Sequence, residues 1–264
     1  MEFGRVQKID NIDFSLPPDP AMTQRVLDAT RKDNAPLRVY VGGTSWGQTR
    51  WLGKVYPRGT KPTDFLAHYA RQFNSIELNA LWYNLQPKAV IERWAALAGP
   101  AFLQLTESFG PARAGALQDF LRGLPRDFMT CVELRNEGWY GTSAVRETWE
   151  LLFGLGIGAV ITDTPGRRDV LHMRLTAPVA FVRFVGNHFH AKDRGRIDEW
   201  GERLANWVER GLREVYFFVH DTGELFSPEM CGYAVEVFNR RFGAGLKAPQ
   251  LIPEEPTAGD LKLF

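Results

Sequence analysis

The chain has 264 residues, a length that suits one large domain better than two. Its 32 basic and 31 acidic side chains give a formal net charge of +1, so no overall field attracts nucleic acid, an anionic membrane or an acidic substrate. The two cysteines are too few for a disulfide framework, and we find neither a signal peptide nor an apolar stretch long enough to span a bilayer. We therefore expect a cytoplasmic protein without membrane contact.

The predicted elements begin with a polar, proline-bearing segment that contains one short helical pattern, at 21–31. From residue 37 onwards, short apolar runs alternate with longer segments of helical periodicity. The apolar runs predict seven strands, at 38–45, 75–80, 101–106, 128–135, 158–163, 179–185 and 214–220. The longer segments predict helices at 63–73, 88–97, 116–124, 142–155, 198–210 and 228–242. The last stretch, 244–264, contains three prolines and predicts an extended tail.

This alternation decides the fold class. Strand followed by helix along the whole chain predicts parallel strands joined by right-handed crossovers. An open doubly wound sheet satisfies the same pattern, but the glycine-rich fingerprints that favour it are missing from the sequence. We therefore predict an α/β fold of the TIM-type (β/α) barrel class with seven recognisable strands, where a complete barrel has eight. The predicted domains are an N-terminal extension (1–36), the barrel (37–243) and a C-terminal tail (244–264).

Polar side chains interrupt the predicted strands near their C-terminal ends, where barrel enzymes build their sites. Because side chains alternate between the two faces of a strand, those opposite the apolar set point into the barrel lumen. We expect this of Glu77, Asn79, Glu133, Arg135, Asp163, Arg183 and His220. A buried charge is costly unless it is paired or lies at the wet mouth. Structural salt bridges explain any one of these residues, whereas the set as a whole favours a ligand site.

Two further features lie at the predicted mouth. Gly43, Thr44 and Ser45 follow the first strand and either present N–H and hydroxyl groups to an anion or simply form a tight turn. Aromatic residues follow three of the strands and either line a site for a planar or sugar-like ligand or pack the loops together. These aromatic residues are Trp46, Trp51, Trp82, Tyr83, Trp139 and Tyr140.

The sequence indicates no cofactor and no metal. It lacks the spaced His and Cys motifs of metal sites. A site built from Glu133, Asp163, His190 and His220 is geometrically conceivable, but no spacing supports it.

Several segments resemble, in order, the family known as domain of unknown function 72, the YecE-like proteins. They are 41–46 (VGGTSW), 51–57 (WLGKVYP), 65–70 (FLAHYA), 73–79 (FNSIELN), 102–105 (FLQL), 132–135 (VELR), 181–183 (FVR) and 215–218 (VYFF). The resemblance implies a TIM-type barrel whose pocket is lined by the polar residues above together with Gln104. It implies no activity, because none is established for the family.

This chain departs from the family pattern in three places. Relatives have a further strand–helix unit, with a pocket lysine, after the position of Trp94. They usually read Gln-Leu-Pro-Pro where this chain has Gln104-Leu-Thr-Glu107, and their last strand ends in asparagines where this chain has His220-Asp221.

Three functions fit these features. The first is an enzyme acting on a small polar ligand, phosphorylated or sugar-like. Its candidate catalytic carboxylates are Glu77, Glu133 and Asp163, with Arg135 and Arg183 as anion clamps. In this hypothesis Arg135 keeps Glu133 ionised, while apolar surroundings raise the pKa of the other glutamate and so divide base from acid.

The second function is a nucleic-acid-binding or endonuclease-like barrel, which the near-zero net charge disfavours. Its phosphate contacts would come from three basic clusters: Arg167 and Arg168; Lys192, Arg194 and Arg196; Arg240 and Arg241. The third is a non-catalytic ligand-binding or scaffold protein. The sequence specifies neither the substrate nor the oligomeric state.

Overall fold

Six parallel strands alternate with helices in the computed structural model, which describes residues 4, 6–30, 35–77, 99–124, 126–141 and 145–253. The strands are β1 (Arg38–Gly42), β2 (Ala101–Gln104), β3 (Thr130–Glu133), β4 (Gly158–Asp163), β5 (Val179–Val185) and β6 (Glu214–His220). The α-helices of the described residues are α1 (Ala21–Thr30), α2 (Phe65–Gln72), α3 (Ala114–Arg122), α4 (Arg146–Leu155), α5 (Ala191–Glu209) and α6 (Ser227–Phe242). None of the helices in these ranges is both long and apolar enough to cross a membrane.

The strand order confirms the predicted α/β fold of TIM type. The sheet runs β1-β6-β5-β4-β3-β2, so consecutive strands from β2 to β6 are neighbours, whereas β1 and β2 lie at its two edges. The first strand pairs in parallel with the last, Val39 opposite Val215. A chain of parallel neighbours that returns to its first strand has the connectivity of a (β/α) barrel.

The predicted strand at 75–80 is not a strand in the part that the structure describes. Residues 75–77 are irregular, and 78–80 lie outside the described residues, as does the predicted helix at 88–97. The segment nevertheless lies along the other edge of β1. The Asn74 side chain accepts from the N–H of Val41 and donates to the carbonyl of Val39, and the Glu77 N–H donates to the Gly43 carbonyl at 3.0 Å. A side-chain amide takes the place of ladder hydrogen bonds here, which is why the segment is not a regular strand.

Helix α5 begins seven residues before the predicted start at 198. The His190 ring accepts the N–H of Lys192 at 3.1 Å, and the Asp193 carboxylate accepts the N–H of His190 at 3.0 Å. This reciprocal cap satisfies backbone donors of the first turn. Sequence rules look for Ser, Thr, Asp or Asn at this position, so a histidine cap escapes them.

Both flanking segments pack against the barrel. Val26 and Leu27 of α1 are buried in the same cluster as β5 and β6. In the tail, the Ile252 N–H donates to the Lys54 carbonyl at 2.7 Å. The division into extension, barrel and tail stays a prediction.

Side chains of the strands separate into two apolar layers. On the outer face of β5, Val182 and Phe184 pack with the helices. On its inner face, Phe181 contacts the ring of Phe218 at a centroid distance of 5.2 Å. These rings belong to a smaller buried cluster that also contains Val160, Val179 and Tyr216. The cluster fills the lower lumen and supports a polar layer at the C-terminal end.

Candidate functional site

One buried guanidinium holds two buried carboxylates in the upper lumen. Arg183 of β5 donates from Nε and Nη2 to the two oxygens of Glu77, at 2.8 and 2.7 Å. Its Nη1 donates to both oxygens of Glu133, at 3.0 and 2.8 Å. The side chains of Arg183 and Glu77 are 0 % exposed and that of Glu133 is 1 % exposed. Such forked, charge-assisted bonds fix both distance and orientation. The three groups therefore form a rigid unit.

Neighbouring strands complete the surroundings of Glu133. Gln104 lies opposite Glu133 in the register of β2 and β3 and donates its amide N–H to the carboxylate. The hydroxyl of Thr162 on β4 donates to the same carboxylate. Arg135, two residues beyond on the same face, donates from Nε at 3.1 Å, with 13 % of its side chain exposed. The network thus reaches from the closed lumen towards the mouth.

On the other side of Arg183, Glu77 contacts a histidine. The His220 Nε2 lies 3.1 Å from the Glu77 carboxylate, and His220 is 4 % exposed. His220 ends β6, on the inner face that it shares with Phe218. A carboxylate at one ring nitrogen fixes the orientation of an imidazole. Glu77 therefore links His220 to the rigid pair of charges beneath it.

The electrostatics of the two glutamates differ from the prediction. Burial is the largest single effect and raises the pKa of each carboxyl group, but the positive charge of Arg183, the next largest effect, acts together with neighbouring groups and hydrogen bonds, and their sum lowers the pKa of both Glu77 and Glu133. Arg135 adds to this effect at Glu133. The predicted division, with one carboxyl kept neutral by apolar surroundings, is wrong, because a single guanidinium forks across both groups. Both are ionised at neutral pH.

Asp163 does not join this cluster. It ends β4 on the outer face, next to Thr162 on the inner face, and its carboxylate accepts from the Trp200 Nε1 and from Arg196 of α5, each at 2.8 Å. Arg168 donates to it as well. The expectation that Asp163 points into the lumen is therefore wrong. Its contacts tie β4 to α5.

We expect Asp163→Asn to lower the free energy of unfolding by about 3 kcal/mol, because it removes the buried carboxylate that Arg168 and Arg196 share and leaves Arg196 with Asp193 alone. Urea denaturation measures the loss. The triple variant Asp163→Asn, Asp193→Asn, Arg196→Met removes the three buried charges together and should recover part of the stability. A loss below about 1 kcal/mol in the single variant would instead suit a carboxylate retained for chemistry.

The predicted anion cradle is largely occupied by protein groups. The Gly43 N–H donates to the Tyr69 hydroxyl at 2.8 Å, and the Thr44 hydroxyl donates to Glu224 at 3.1 Å. Ser45 accepts the N–H of Gly47 at 3.2 Å. The turn is thus built mainly by its own contacts. Two other predicted site residues, Asn79 and Tyr83, lie outside the described residues.

The four candidate metal ligands are also separated. His190 caps α5 and Asp163 lies on the outer face of β4, whereas Glu133 and His220 belong to the lumen network. Within the described ranges, no three His, Cys, Asp or Glu side chains are grouped to hold a metal ion.

A small cleft opens beside His220 at the ends of β5 and β6. It is lined by Val6, Pro165, Val185, Gly186, Asn187, His220, Asp221, Thr222 and Glu224. Asp221 accepts the N–H groups of His188 and Phe226, at 2.9 and 3.1 Å. From the sequence, Asp221 stands out only as a departure from the family pattern, and Glu224 does not stand out at all. Both residues follow closely after β6, a strand that ends in a polar residue on its inner face, and this position is the feature that could have identified them.

The comparisons with known proteins agree with this fold. The profile of the family described as "Protein of unknown function DUF72" matches residues 40–102 and 95–255, in two pieces that meet where the resemblance predicts the missing strand–helix unit. The UPF0759 protein YecE of Escherichia coli K12 is 25% identical over 252 residues, which covers 73% of this chain and 89% of that protein.

Two solved structures are similar to this one. A DUF72 family protein from Thermotoga maritima is 22% identical with a TM-score of 0.54, over 77% of this chain and 98% of that one. A DUF72 family protein from Enterococcus faecalis is 17% identical with a TM-score of 0.57, over the same shares. At these identities the structures show a shared fold. Together with the profile match across most of its length, they show that this chain belongs to the DUF72 family.

Proposed function

We propose that the protein is an enzyme that acts on a small, polar, hydroxyl-bearing ligand at the C-terminal face of the barrel, with His220 as the group that transfers a proton. The observation that carries this proposal is the position of His220. Its ring is held by Glu77 at 3.1 Å and also lines the cleft at the mouth. Imidazole is the side chain that most often serves in general acid–base catalysis.

The two glutamates have a supporting role in this proposal. A carboxylate whose pKa is lowered is a weak base, and every oxygen of Glu77 and Glu133 already accepts a bond from Arg183. Glu77 instead orients the imidazole, and Arg183 with Glu133 holds Glu77 in place. This is the arrangement in which a buried carboxylate positions a histidine for proton transfer.

The charge of the cleft favours an uncharged ligand over a phosphorylated one. Its lining includes Asp221 and Glu224, whose carboxylates accept bonds from protein groups, and the uncharged Asn187 and Thr222. The amide and the hydroxyl can bond to the hydroxyl groups of a sugar, whereas an incoming phosphate meets the two negative charges. A polyol or sugar therefore fits the lining best.

The nucleic-acid alternative has less support, because the basic clusters are paired. Each cation in them has a protein partner: Arg167 with Asp169, Arg168 and Arg196 with Asp163, Lys192 with the carbonyls of Ile9 and Asp10, Arg194 with the ring of Phe189, Arg240 with Asp198 and Arg241 with Glu202. Phosphate contacts would have to replace these pairs.

A ligand panel tests the proposal. Uncharged sugars and polyols, together with their phosphates, are screened by thermal shift for binding and by NMR for conversion. We expect uncharged compounds to raise the Tm and at least one to be converted. In His220→Gln the new side chain still donates a hydrogen bond to Glu77 but transfers no proton. This variant should therefore bind the same compound, and its rate of conversion should fall by a factor of about 100 or more.

His68→Gln is the matched control, since His68 lies on α2 and contacts the ring of Tyr56. It should behave as the parent. Binding without conversion would make the protein a non-catalytic binder, and conversion that survives in His220→Gln would remove His220 from the chemistry. Tighter binding of the phosphorylated compounds would overturn the proposal that the ligand is uncharged.

A further inference from the structure

The cleft beside His220 is too small for the ligand proposed above. It offers about 20 Å³ to a water-sized molecule, which is room for about one water. Sites for small molecules usually measure about 300–1,000 Å³. One wall of the cleft, Val6, comes from the N-terminal segment and not from the barrel. The segment that narrows the cleft therefore lies outside the strand–helix repeat.

The strap, residues 6–19 together with Gly4, lies across the C-terminal face and is firmly held at its far end. The ring of Phe14 faces three cations: Arg168, Lys192 and Arg196 lie 5.3, 5.6 and 4.8 Å from its centroid. The Leu16 N–H donates to Glu199 at 2.7 Å. These contacts join the strap to α5 and to the loop after β4. Detaching this end would break all of them, so we expect it to stay in place.

The near end, the tip (Gly4 and residues 6–8), crosses the loop after β4 through two glycines. The Gly4 carbonyl accepts from the Gly166 N–H at 2.8 Å and from the Thr164 hydroxyl at 3.0 Å. A Cβ on Gly166 would lie 2.7 Å from both the Gly4 carbonyl and the Val6 side chain, and a Cβ on Gly4 would collide with Thr164. Close backbone approach of this kind requires glycine on both sides.

Between the two ends, Lys192 marks the point where the strap could pivot. Its ammonium group donates to the carbonyls of Ile9 and Asp10, at 2.9 and 2.6 Å. Ile9 is buried, whereas residues 7 and 8 are exposed. The tip thus has few contacts beyond the glycine crossing, and everything from Ile9 onwards has several.

We infer that the tip is a lid, latched by the crossing of Gly4 and Gly166, that lifts about Ile9 and Asp10 to admit the ligand to His220. The inference rests on the proposed function for its purpose, but the movement itself can be measured without a ligand. With the tip closed, His220 is shielded and the cleft has room for about one water. With the tip lifted, the Val6 wall is removed and the cleft opens to the mouth of the barrel.

Two variants release the latch from opposite sides. Gly4→Val adds a branched side chain at a φ of +69°, against Thr164, and Gly166→Ala adds a Cβ against the strap. Two measurements follow the result in the full chain. Hydrogen exchange at the amide of residue 166 reports the bond to Gly4, and acylation of His220 by diethyl pyrocarbonate, quantified by peptide mass spectrometry, reports access to the ring.

We expect both variants to speed up amide exchange at residue 166 and to raise the acylation rate of His220 about threefold or more. His68 in the same samples should keep its rate, and Gly115→Ala, whose Cβ meets nothing within 4 Å on α3, should change neither readout. Faster exchange without faster acylation would show that the tip does not cover His220. If neither readout changes, the crossing is not a latch, and an equal rise at His68 would indicate general loosening; each of these overturns the inference.

The ligand panel separates this failure from that of the proposed function. If no compound of the panel binds or is converted but the latch variants acylate faster at His220, the lid is supported and the proposed enzyme is not. If a compound is converted but the acylation rate of His220 is unchanged, the enzyme is supported and the lid is not.

Discussion

Arg183→Met is expected to lower the free energy of unfolding at pH 7 by about 3–5 kcal/mol, the usual effect of removing one partner from a buried ion pair. The methionine fills similar space, but Glu77 and Glu133 then remain buried without the guanidinium that donates to all four of their oxygens. Urea denaturation at pH 7 measures the loss. The exposed pair of Arg25 and Glu150 supplies the control, because Arg25→Met breaks an ion pair that water already screens and should change stability far less.

The same variant should lose less of its stability on acidification than the parent. In the parent, the pKa of both carboxyl groups is lowered below the ordinary 4.5, so their contribution is present above pH about 4.5 and is lost as the pH falls through the lower folded values. In Arg183→Met the remaining effect of burial raises these pKa values. Protonation then removes the cost of the unpaired charges, so the difference between the two unfolding free energies should shrink as the pH falls from 7 to 4, and further below that as the parent loses its own contribution.

A difference that stays constant from pH 7 to pH 4 would contradict this account. It would mean that Arg183 stabilises the barrel through packing alone. A triple variant with Glu77→Gln and Glu133→Gln added to Arg183→Met gives a second check. Because it removes all three charges of the buried network, it should be more stable at pH 7 than Arg183→Met.

The sequence predicted the lumen network where a strand had a polar–apolar alternation to set its phase. In β5, Arg183 alternates with apolar residues of the outer face, and in β3 Glu133 alternates with Val132. In β4 the polar residues Thr162 and Asp163 are adjacent in sequence, so they face opposite ways and the alternation does not say which of them faces inwards. The prediction therefore chose the charged Asp163 over Thr162, although Thr162 is the residue that contacts Glu133.

What the sequence could not supply were partners far away in the chain. The Asp163 side chain faces outwards, where it meets Arg196 and Trp200 of α5, more than thirty residues later in the chain. Likewise, Arg183 lies 106 positions from Glu77 and 50 from Glu133. Local pattern shows which faces are polar, whereas the sign of a pKa shift depends on which charge arrives on that face in the fold. The predicted division of acid and base failed for this reason.

The backbone around β1 provides the second large effect. Gly42→Ala places a methyl group against the carbonyl of Ser75, with the Ser75 carbonyl carbon 2.6 Å from the added Cβ. A backbone carbonyl cannot relieve the overlap by changing rotamer as a side chain can, so the segment 74–77 must shift away from β1. Two residues later that segment holds Glu77, whose position depends on its N–H bond to Gly43 and on Arg183. We expect a loss of about 3 kcal/mol in unfolding free energy, from overpacking together with a weakened ion pair.

The neighbouring glycine makes this a matched comparison. A Cβ on Gly43 meets its nearest atoms, in Tyr69 and Trp51, at 3.8 and 3.9 Å, which is ordinary contact. Gly43→Ala should therefore change stability by less than about 1 kcal/mol. Denaturation of the two variants side by side separates crowding at one atom from a general preference for glycine in this turn. Equal losses would mean that the turn prefers glycine in general, and that the close approach of Gly42 to Ser75 is not what destabilises Gly42→Ala.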